Sequence, residues 1–315
     1  MSAELGVLHL VRKANGTAPL SRFLDSYRSH PAGAEHELVL LLKGFHSDAD
    51  RAPFAALAAD VTDRSIAVDD HGYDIGSYLS AARGLAHRSL CMLNSFSVIV
   101  ADDWLRSLSS AHAASGVGLA GASGSWASPR TQLRYELGLG GVYAIAQADR
   151  DRALLRMSEL TEATQASPAK ERATLRRLHT AQSMARRVVG FPPFPNYHVR
   201  TNGFIADRDV LLQVRCGAIR DKFDAWTLEN GRRSITRQVQ ALGLRAVVVG
   251  RDGSAYERDE WPRSRTFWQG EQENLLIADN QTDCYRDADA ELRAVLSAFA
   301  WGPAADPVAF SRANP

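Results

Sequence analysis

The sequence predicts an α/β fold in which a mostly parallel sheet is flanked by helices. Short apolar runs of strand length alternate with segments whose apolar residues recur at helical spacing. Polar turns follow these runs at 43–50, 69–74 and 94–97, the end of the strands where parallel sheets bind ligands. A long middle segment shows only helical patterning, which predicts a helical insertion.

The first part of the chain alternates strands and helices. Apolar runs predict strands at Leu5–Val11, Glu37–Leu42, Arg64–Val68, Ser89–Leu93 and Val117–Ala120. Pro19 stands where a helix can begin, and Asp102 or Asp103 can cap another. The predicted helices are 19–28, Phe54–Ala59, Ile75–Leu85 and a fourth that ends near Ala113.

The middle of the chain, from about Asp149 to Val189, predicts two helices separated near Pro168. The second helix is basic. A solvated face is the simpler interpretation, and a patch for anionic lipid headgroups is the alternative. Its basic residues are Lys170, Arg172, Arg176, Arg177, Arg186 and Arg187.

After this segment the pattern returns to that of a sheet. The proline-rich stretch 191–196 cannot be helical and predicts a stiff connector. Strands are predicted at Gly203–Ala206 and Arg245–Gly250, and Leu275–Asp279 is apolar and then polar. Helices are predicted from about Arg208, at Ile235–Leu242 and at Glu291–Ala300.

Composition and charge are those of a soluble globular protein of one or two domains. Of 315 residues, 45% are apolar and 23% are charged, which excludes a disordered chain and a coiled-coil rod. The formal net charge of +1 shows no basic surplus, so no nucleic-acid partner is expected. The cysteines form no CxxC pair, which argues against a zinc ribbon: Cys91, Cys216 and Cys284.

No membrane span is expected, because apolar runs such as Leu38–Leu42 are far shorter than the roughly 18 residues that a spanning helix needs. The opening Met-Ser-Ala-Glu-Leu lacks the features of a signal peptide. We therefore expect a cytoplasmic protein. Peripheral contact with the inner face of the membrane and homo-oligomerisation stay open.

Common catalytic signatures are absent from the sequence. It contains no P-loop and no HExxH, and a GxSxG motif fails because position 127 is alanine. Acidic pairs interpreted as turns or caps rather than metal sites are Asp48 with Asp50, Asp69 with Asp70, Asp102 with Asp103 and Asp287 with Asp289.

Five groups of segments resemble bacterial family-2 glycosyltransferases of the GT-A fold, in the branch that builds rhamnan, O-antigen and related polysaccharides. The order and spacing of the segments carry the resemblance, which covers most of the chain outside the helical middle. The segments are 10–16 with 23–27 and 41–45, then 69–78, then 93–97 with 103–105, then 198–204 with 228–238, and 274–282.

The resemblance implies a nucleotide-sugar-binding half at 1–148, a helical insertion at 149–190, and an acceptor-binding and catalytic half with the C-terminal region at 191–315. It also implies a nucleoside-diphosphate sugar as donor. The implied acceptor is a glycan, either free or lipid-linked, and the implied setting is bacterial surface polysaccharide synthesis. Inversion at the anomeric carbon is expected.

One departure from the family concerns its metal-binding Asp-x-Asp motif. Asn94-Ser95-Phe96 stands where the motif belongs, and a phenylalanine cannot bind Mg²⁺ or Mn²⁺. Lys43 stands where the family often has an aspartate that contacts the base. No metal ligand is therefore assigned, and dependence on Mg²⁺ or Mn²⁺ stays open.

Sugar transfer needs a base for the acceptor hydroxyl and cations for the departing diphosphate. The resemblance implies Glu229 as the base, at the place where the family carries its Glu-Asp motif on a helix start. The alternative is a capping glutamate, or one paired with Arg232 or Arg233. Predicted donor-binding residues are Lys43, Asp70, Asp74, Asn94, Arg200, Asn202 and Arg237. Predicted acceptor-binding residues are Trp126 and Arg232; Tyr197 and Trp226 are weaker aromatic candidates, and a buried tryptophan would simply be core.

Two other functions are weighed against transfer. A catalytically silent GT-A domain that binds a glycan or a partner enzyme is favoured by the missing Asp-x-Asp motif. A nucleotidyltransferase would need a glycine-rich phosphate loop after the first strand, and 12–16 is a poor one.

Overall fold

The computed structural model describes residues 4–70, 72–139 and 173–305. In these ranges the chain forms a central sheet and two short ladders. The strands are β1 (Leu5–Arg12), β2 (Glu37–Lys43), β3 (Ser65–Val68), β4 (Ser89–Leu93), β5 (Val98–Ile99), β6 (Val117–Gly121), β7 (Gly124–Ser125), β8 (His198–Val199), β9 (Gly203–Asp207), β10 (Arg245–Val249), β11 (Ala255–Tyr256) and β12 (Ile277–Ala278).

The central sheet has eight strands in the order β11-β10-β6-β9-β4-β1-β2-β3. β1 pairs in parallel with β2 and β4, and parallel pairs also join β2 to β3 and β6 to β10. β9 lies antiparallel between β4 and β6, and β11 is antiparallel to β10. β5 pairs with β12 and β7 with β8 in the two ladders. Strands from the two ends of the sequence therefore interleave in one sheet.

Helices cover both faces of this sheet. They are α1 (Ala18–Ser29), α2 (Asp48–Ala58), α3 (Tyr73–Gly84), α4 (Trp104–His112), α5 (Pro129–Glu136), α6 (Ala173–Gly190), α7 (Arg208–Gln213), α8 (Lys222–Asn230), α9 (Ile235–Ala241), α10 (Asn280–Asp287) and α11 (Ala290–Trp301).

The side chains of β1 alternate between two hydrophobic cores. Leu8 and Leu10 belong to the core that includes residues of α3, α7, α8 and α9. Val7 and Val11 belong to the core that includes residues of α1, α2 and α4. This alternation follows from the two-residue period of a strand, and it confirms the predicted α/β class with a sheet between helical layers.

Several predicted elements are confirmed, and others need correction. Helix α2 begins at Asp48 rather than at Phe54, because the Ser47 side chain accepts a hydrogen bond from the Asp50 N–H and caps the helix. Asp48 and Asp50 lie in its first turn, as expected for a cap. Helices α5, α8 and α10 are additions to the prediction.

The basic helix of the middle segment is partly described, as α6. Arg186 forms ion pairs with Asp221 and Asp224, and Arg187 pairs with Glu136. Because both arginines are partly buried in ion pairs, neither belongs to a solvated face, and neither leaves its charge free for a lipid headgroup. The predicted first helix, the turn near Pro168, and the basic residues Lys170 and Arg172 lie outside the described residues.

Within the described ranges, no helix combines the length and the apolar character needed to cross a bilayer.

Candidate functional site

A cavity of about 410 Å³ opens at the edge of the sheet where the parallel strands end. Asn94 follows β4, and Asn202 precedes the antiparallel strand β9, so both lie at this edge. The cavity contains the predicted residues Asp74, Asn94, Arg200, Asn202 and Glu229. Two segments far apart in the sequence, around α3 and α8, thus meet at one site.

Glu229 is a buried carboxyl of this cavity with a raised pKa. It is the penultimate residue of α8, and the Thr201 hydroxyl donates a hydrogen bond to its Oε1 at 3.4 Å. Burial first, and the nearby charge of Asp74 second, raise the pKa of Glu229 to about 7. A carboxyl with this pKa can accept a proton near neutral pH.

The position of Glu229 in its helix differs from the expectation. The resemblance implies an acidic motif at the start of a helix, but Glu229 lies at the end of α8. The alternatives weighed for it, a cap or an ion pair with Arg232 or Arg233, are not seen: both arginines line a different groove.

Asp74 lies in the first turn of α3. Burial raises its pKa, and the charge of Lys43 opposes this shift. Lys43 ends β2, where its ammonium donates to the Tyr73 carbonyl at 2.8 Å and to the Ser77 hydroxyl at 3.3 Å. Lys43 therefore fixes the start of α3 and is not among the residues that line the cavity.

Arg200 and Asp279 form a buried ion pair in the cavity wall, with 2.7 Å between Nη2 and Oδ2. The guanidinium also donates to the Ser123 hydroxyl and to Gln281 Oε1, and it stacks 3.9 Å from the ring centre of Phe267. Asp279 caps α10 through the N–H groups of Gln281 and Thr282. The charge of Arg200 is therefore balanced in the protein itself.

The two asparagines hold the loops around the cavity. Asn202 accepts a hydrogen bond from the Ser123 hydroxyl at 2.7 Å and donates to the Ile277 carbonyl at 2.9 Å. Asn94 Oδ1 accepts from the Phe96 N–H at 2.9 Å and from the Ser97 hydroxyl at 3.2 Å. Their amide oxygens are thus already engaged, which limits what they offer a ligand.

The other predicted site residues do not line this cavity. Asp70 is exposed, 3.9 Å from Arg12. Arg232 and Arg237 line a separate groove. Trp126 packs against Phe194, Tyr197 and Trp301, with ring centres 5.2–6.3 Å apart, so it behaves as a core residue.

Three side chains that line the cavity could be recognised only weakly, or not at all, from the sequence. Trp226, the weaker candidate, lines the cavity, as does Trp268, which no sequence argument singled out. Lys222, the first residue of α8, adds a cation at the opposite end of the helix from Glu229. The only sequence feature that points to Trp268 is its pairing with Phe267, in a segment without helix or strand periodicity.

No group of three or more His, Cys, Asp or Glu side chains suited to a metal ion occurs in the described part of the chain. The carboxylates of the cavity, Asp74, Glu229 and Asp279, are therefore not gathered as a metal site.

Two solved structures are weakly similar to this chain. No protein-family model matches the sequence, and no curated protein matches it. A mannosyltransferase, PcManGT from Pyrobaculum calidifontis in complex with GDP-Man and Mn²⁺, is 14% identical with a TM-score of 0.44, over 99% of this chain and 73% of that one. A protein described as a nucleotide-diphospho-sugar transferase from Desulfovibrio desulfuricans G20 is 13% identical with a TM-score of 0.28, over 38% of this chain and 57% of that one. At such scores neither likeness carries an argument about this chain.

Proposed function

We propose that this chain is a glycosyltransferase that moves a sugar from a nucleoside-diphosphate sugar to a glycan acceptor. The observation that carries the proposal is the Glu229 carboxyl, with its pKa raised to about 7, in a cavity at the ligand-binding edge of an α/β sheet. A general base poised near neutral pH is what the attack of an acceptor hydroxyl requires.

In the proposed reaction an acceptor oxygen attacks the anomeric carbon. The new C–O bond forms as the bond from that carbon to the diphosphate oxygen breaks, and the electron pair leaves with the nucleoside diphosphate. The proton of the acceptor hydroxyl passes to Glu229. One displacement of this kind inverts the anomeric configuration.

The cavity lining suits a sugar. The half-buried Trp226 and Trp268 offer ring faces on which the CH face of a sugar can pack. Asp74 can accept hydrogen bonds from sugar hydroxyls. Lys222 supplies a cation for the diphosphate, whereas the charge of Arg200 is already balanced by Asp279.

The biological setting is also a proposal. It comprises a bacterial surface polysaccharide as product, of the rhamnan or O-antigen kind, and an acceptor glycan that is free or lipid-linked. The enzyme would act in the cytoplasm, at the inner face of the membrane when the acceptor is lipid-linked. The resemblance in the order of segments supports this setting.

A nucleotide panel tests the proposal. Melting temperatures are measured with UDP, dTDP, GDP and CMP, each in EDTA and in Mn²⁺, and release of nucleotide from the matching nucleotide-sugar follows. A ligand that binds the folded state raises the melting temperature by linkage. We expect one nucleoside diphosphate to stabilise the protein and its sugar derivative to be turned over. No shift and no release with any donor would contradict the proposal.

The alternative is a silent domain that binds a glycan. The charge balance of the cavity favours it: Asp74, Glu229 and Asp279 face Arg200 and Lys222, which leaves no cationic surplus for a diphosphate. A silent domain would release no nucleotide from any nucleotide-sugar, with or without Mn²⁺, whether or not a nucleotide raises its melting temperature.

Replacing Trp226 with leucine is expected to weaken sugar binding about fivefold, because stacking on an aromatic face contributes about 1 kcal/mol. The comparison is Trp126→Phe, in the aromatic cluster outside the cavity, which should keep sugar affinity and lower the melting temperature instead. Titration calorimetry with the donor checks both variants. Loss of affinity only in Trp126→Phe would restore Trp126 as the sugar-binding residue.

A further inference from the structure

A second concave surface of about 850 Å³ lies between the end of α7 and α9, and we call it the arginine groove. Four guanidinium groups line it, those of Arg215, Arg232, Arg233 and Arg237. No acidic side chain is among its lining residues.

The positive charge of the arginine groove is not balanced by the described part of the protein. None of the four arginines has a described carboxylate within ion-pair distance; Arg237 is half-buried, and the other three are exposed. Arg237 donates to Asn196 Oδ1 at 3.3 Å, but its buried Nε has no described hydrogen-bond partner. An anion in the groove would relieve the repulsion among the cations and accept hydrogen bonds from their exposed N–H groups.

Burial first, and the charge of Arg232 second, lower the pKa of Arg237. The lowered pKa agrees with the position of Arg237, because its guanidinium is half-buried and lies near the positive charge of Arg232.

Exposed apolar side chains gather at the same surface. Leu212 and Leu242, which are 41% and 45% exposed, line the groove. Val188 and Val189 are 42% and 73% exposed, and Arg232 Nε donates to the Val189 carbonyl at 2.9 Å, which ties the valine pair to the groove. These four are among the few large apolar side chains exposed in the described residues.

We propose that the arginine groove and the adjoining valine pair form the surface through which this chain contacts an anionic bilayer. Headgroup phosphates would enter the groove and bind the guanidinium groups, and the leucines and valines would contact the boundary of the acyl region. A soluble phosphate compound would use the cations but would leave the apolar side chains in water, so the combination favours a membrane.

This surface differs from the one considered from the sequence, where the basic helix α6 was the lipid-binding alternative. Arg186 and Arg187 of that helix are neutralised by acidic partners, whereas the arginine groove is not. The proposal extends the membrane contact suggested above, and it does not depend on sugar transfer.

Flotation with vesicles tests the proposal without any nucleotide-sugar. The full chain is mixed with vesicles of phosphatidylcholine alone or with added phosphatidylglycerol. Binding is expected only to the anionic vesicles and should fall with salt. Arg232→Gln with Arg233→Gln should lower the vesicle partition coefficient by on the order of tenfold or more, since each surface arginine contributes about fivefold.

A matched control removes the same charge elsewhere. Arg22→Gln with Arg83→Gln changes two exposed arginines on α1 and α3 and should leave binding within about twofold of the parent. An apolar pair, Val189→Ser with Leu242→Ser, should weaken binding but keep its salt dependence. Circular dichroism verifies that each variant is folded.

Three results would overturn the proposal. The first is no binding to anionic vesicles by the parent chain. The second is equal loss in the two arginine pairs, which would mean that only net charge matters. The third is complete release from vesicles by inorganic phosphate at constant ionic strength, which would mean a site for soluble phosphate.

Discussion

Replacing Glu229 with glutamine is expected to abolish sugar transfer and to spare nucleotide binding. The amide keeps the size of the side chain but cannot take the proton of the acceptor hydroxyl. Loss of a general base lowers the rate by about 10²–10⁴-fold. Turnover of the donor identified by the nucleotide panel gives the rate, and the nucleotide-induced shift in melting temperature gives the binding.

The pH dependence of the transfer rate should follow the ionisation of Glu229. Because the base acts when deprotonated, transfer should rise with pH through about 7, the pKa of Glu229 in the folded protein. If Glu229→Gln retains a slow rate, that rate should not rise with pH near 7. Asp74→Asn, which removes the neighbouring charge, should move the rise in rate to lower pH.

The free energy of unfolding should fall as pH rises, whereas the rate of transfer should rise. The pKa of Glu229 rises on folding from 4.5 to about 7, so the folded state holds this proton more tightly than the unfolded state does. Its contribution to the free energy of unfolding is present below the unfolded pKa and is lost as pH rises through about 7. At roughly 1.4 kcal/mol per pKa unit, the loss is about 3 kcal/mol before any screening by solvent in the cavity.

Glutamine removes this loss because it does not ionise. Glu229→Gln should therefore melt at a temperature equal to or above that of the parent at pH 8, although it is inactive. A variant that transfers sugar at near the parent rate would exclude Glu229 as the base. A variant that unfolds would be uninformative alone, so Asp74→Asn and its pH profile provide the independent check.

The central strands could be predicted from the sequence because each is an apolar run that ends at a polar turn. β1, β2 and β4 occur within two residues of their predicted bounds. Helix α5 was missed because its short segment, 129–136, is polar and carries little apolar periodicity. The antiparallel insertion of β9 between β4 and β6 was also unpredictable, since pairing partners are set by tertiary packing and not by local pattern.

The residues of the cavity that come directly after strands could be predicted from the sequence. Those whose position depends on how helices are oriented could not. Asn94 lies where the turn after β4 predicts it. Arg237 follows Glu229 by eight residues, yet it lines the arginine groove because the chain turns between α8 and α9. Trp126 and Trp226 look alike in sequence, and only packing distinguishes the core residue from the cavity residue.

Removing one partner of the ion pair between Arg200 and Asp279 is expected to have the largest effect on stability. Both side chains are buried, 8% and 2% exposed, so Arg200→Met leaves a carboxylate without its cation in the wall of the cavity. Breaking a buried pair in this way costs about 3–5 kcal/mol. Urea unfolding of the parent and the variant measures the difference.

A second variant separates the charge of Asp279 from its role as a cap. Asp279→Asn keeps a side-chain oxygen for the N–H groups of Gln281 and Thr282 but removes the charge. In that background Arg200→Met should cost less than in the parent, by about 1–3 kcal/mol, because no buried carboxylate is left unpaired. Equal costs in the two backgrounds would show that the pair is not coupled and that Arg200 stabilises the wall through its contacts with Phe267, Ser123 and Gln281.

The variants Arg200→Met, Asp279→Asn and their combination also distinguish a structural Arg200 from one that binds the donor. A structural Arg200 predicts that the doubly substituted protein, once folded, binds nucleoside diphosphate as tightly as the parent does. A donor-binding Arg200 predicts that affinity for the diphosphate falls more than affinity for the nucleoside, even where stability has recovered. Since Asp279 already balances the charge of Arg200, we expect the first result, with Lys222 as the cation that the diphosphate contacts.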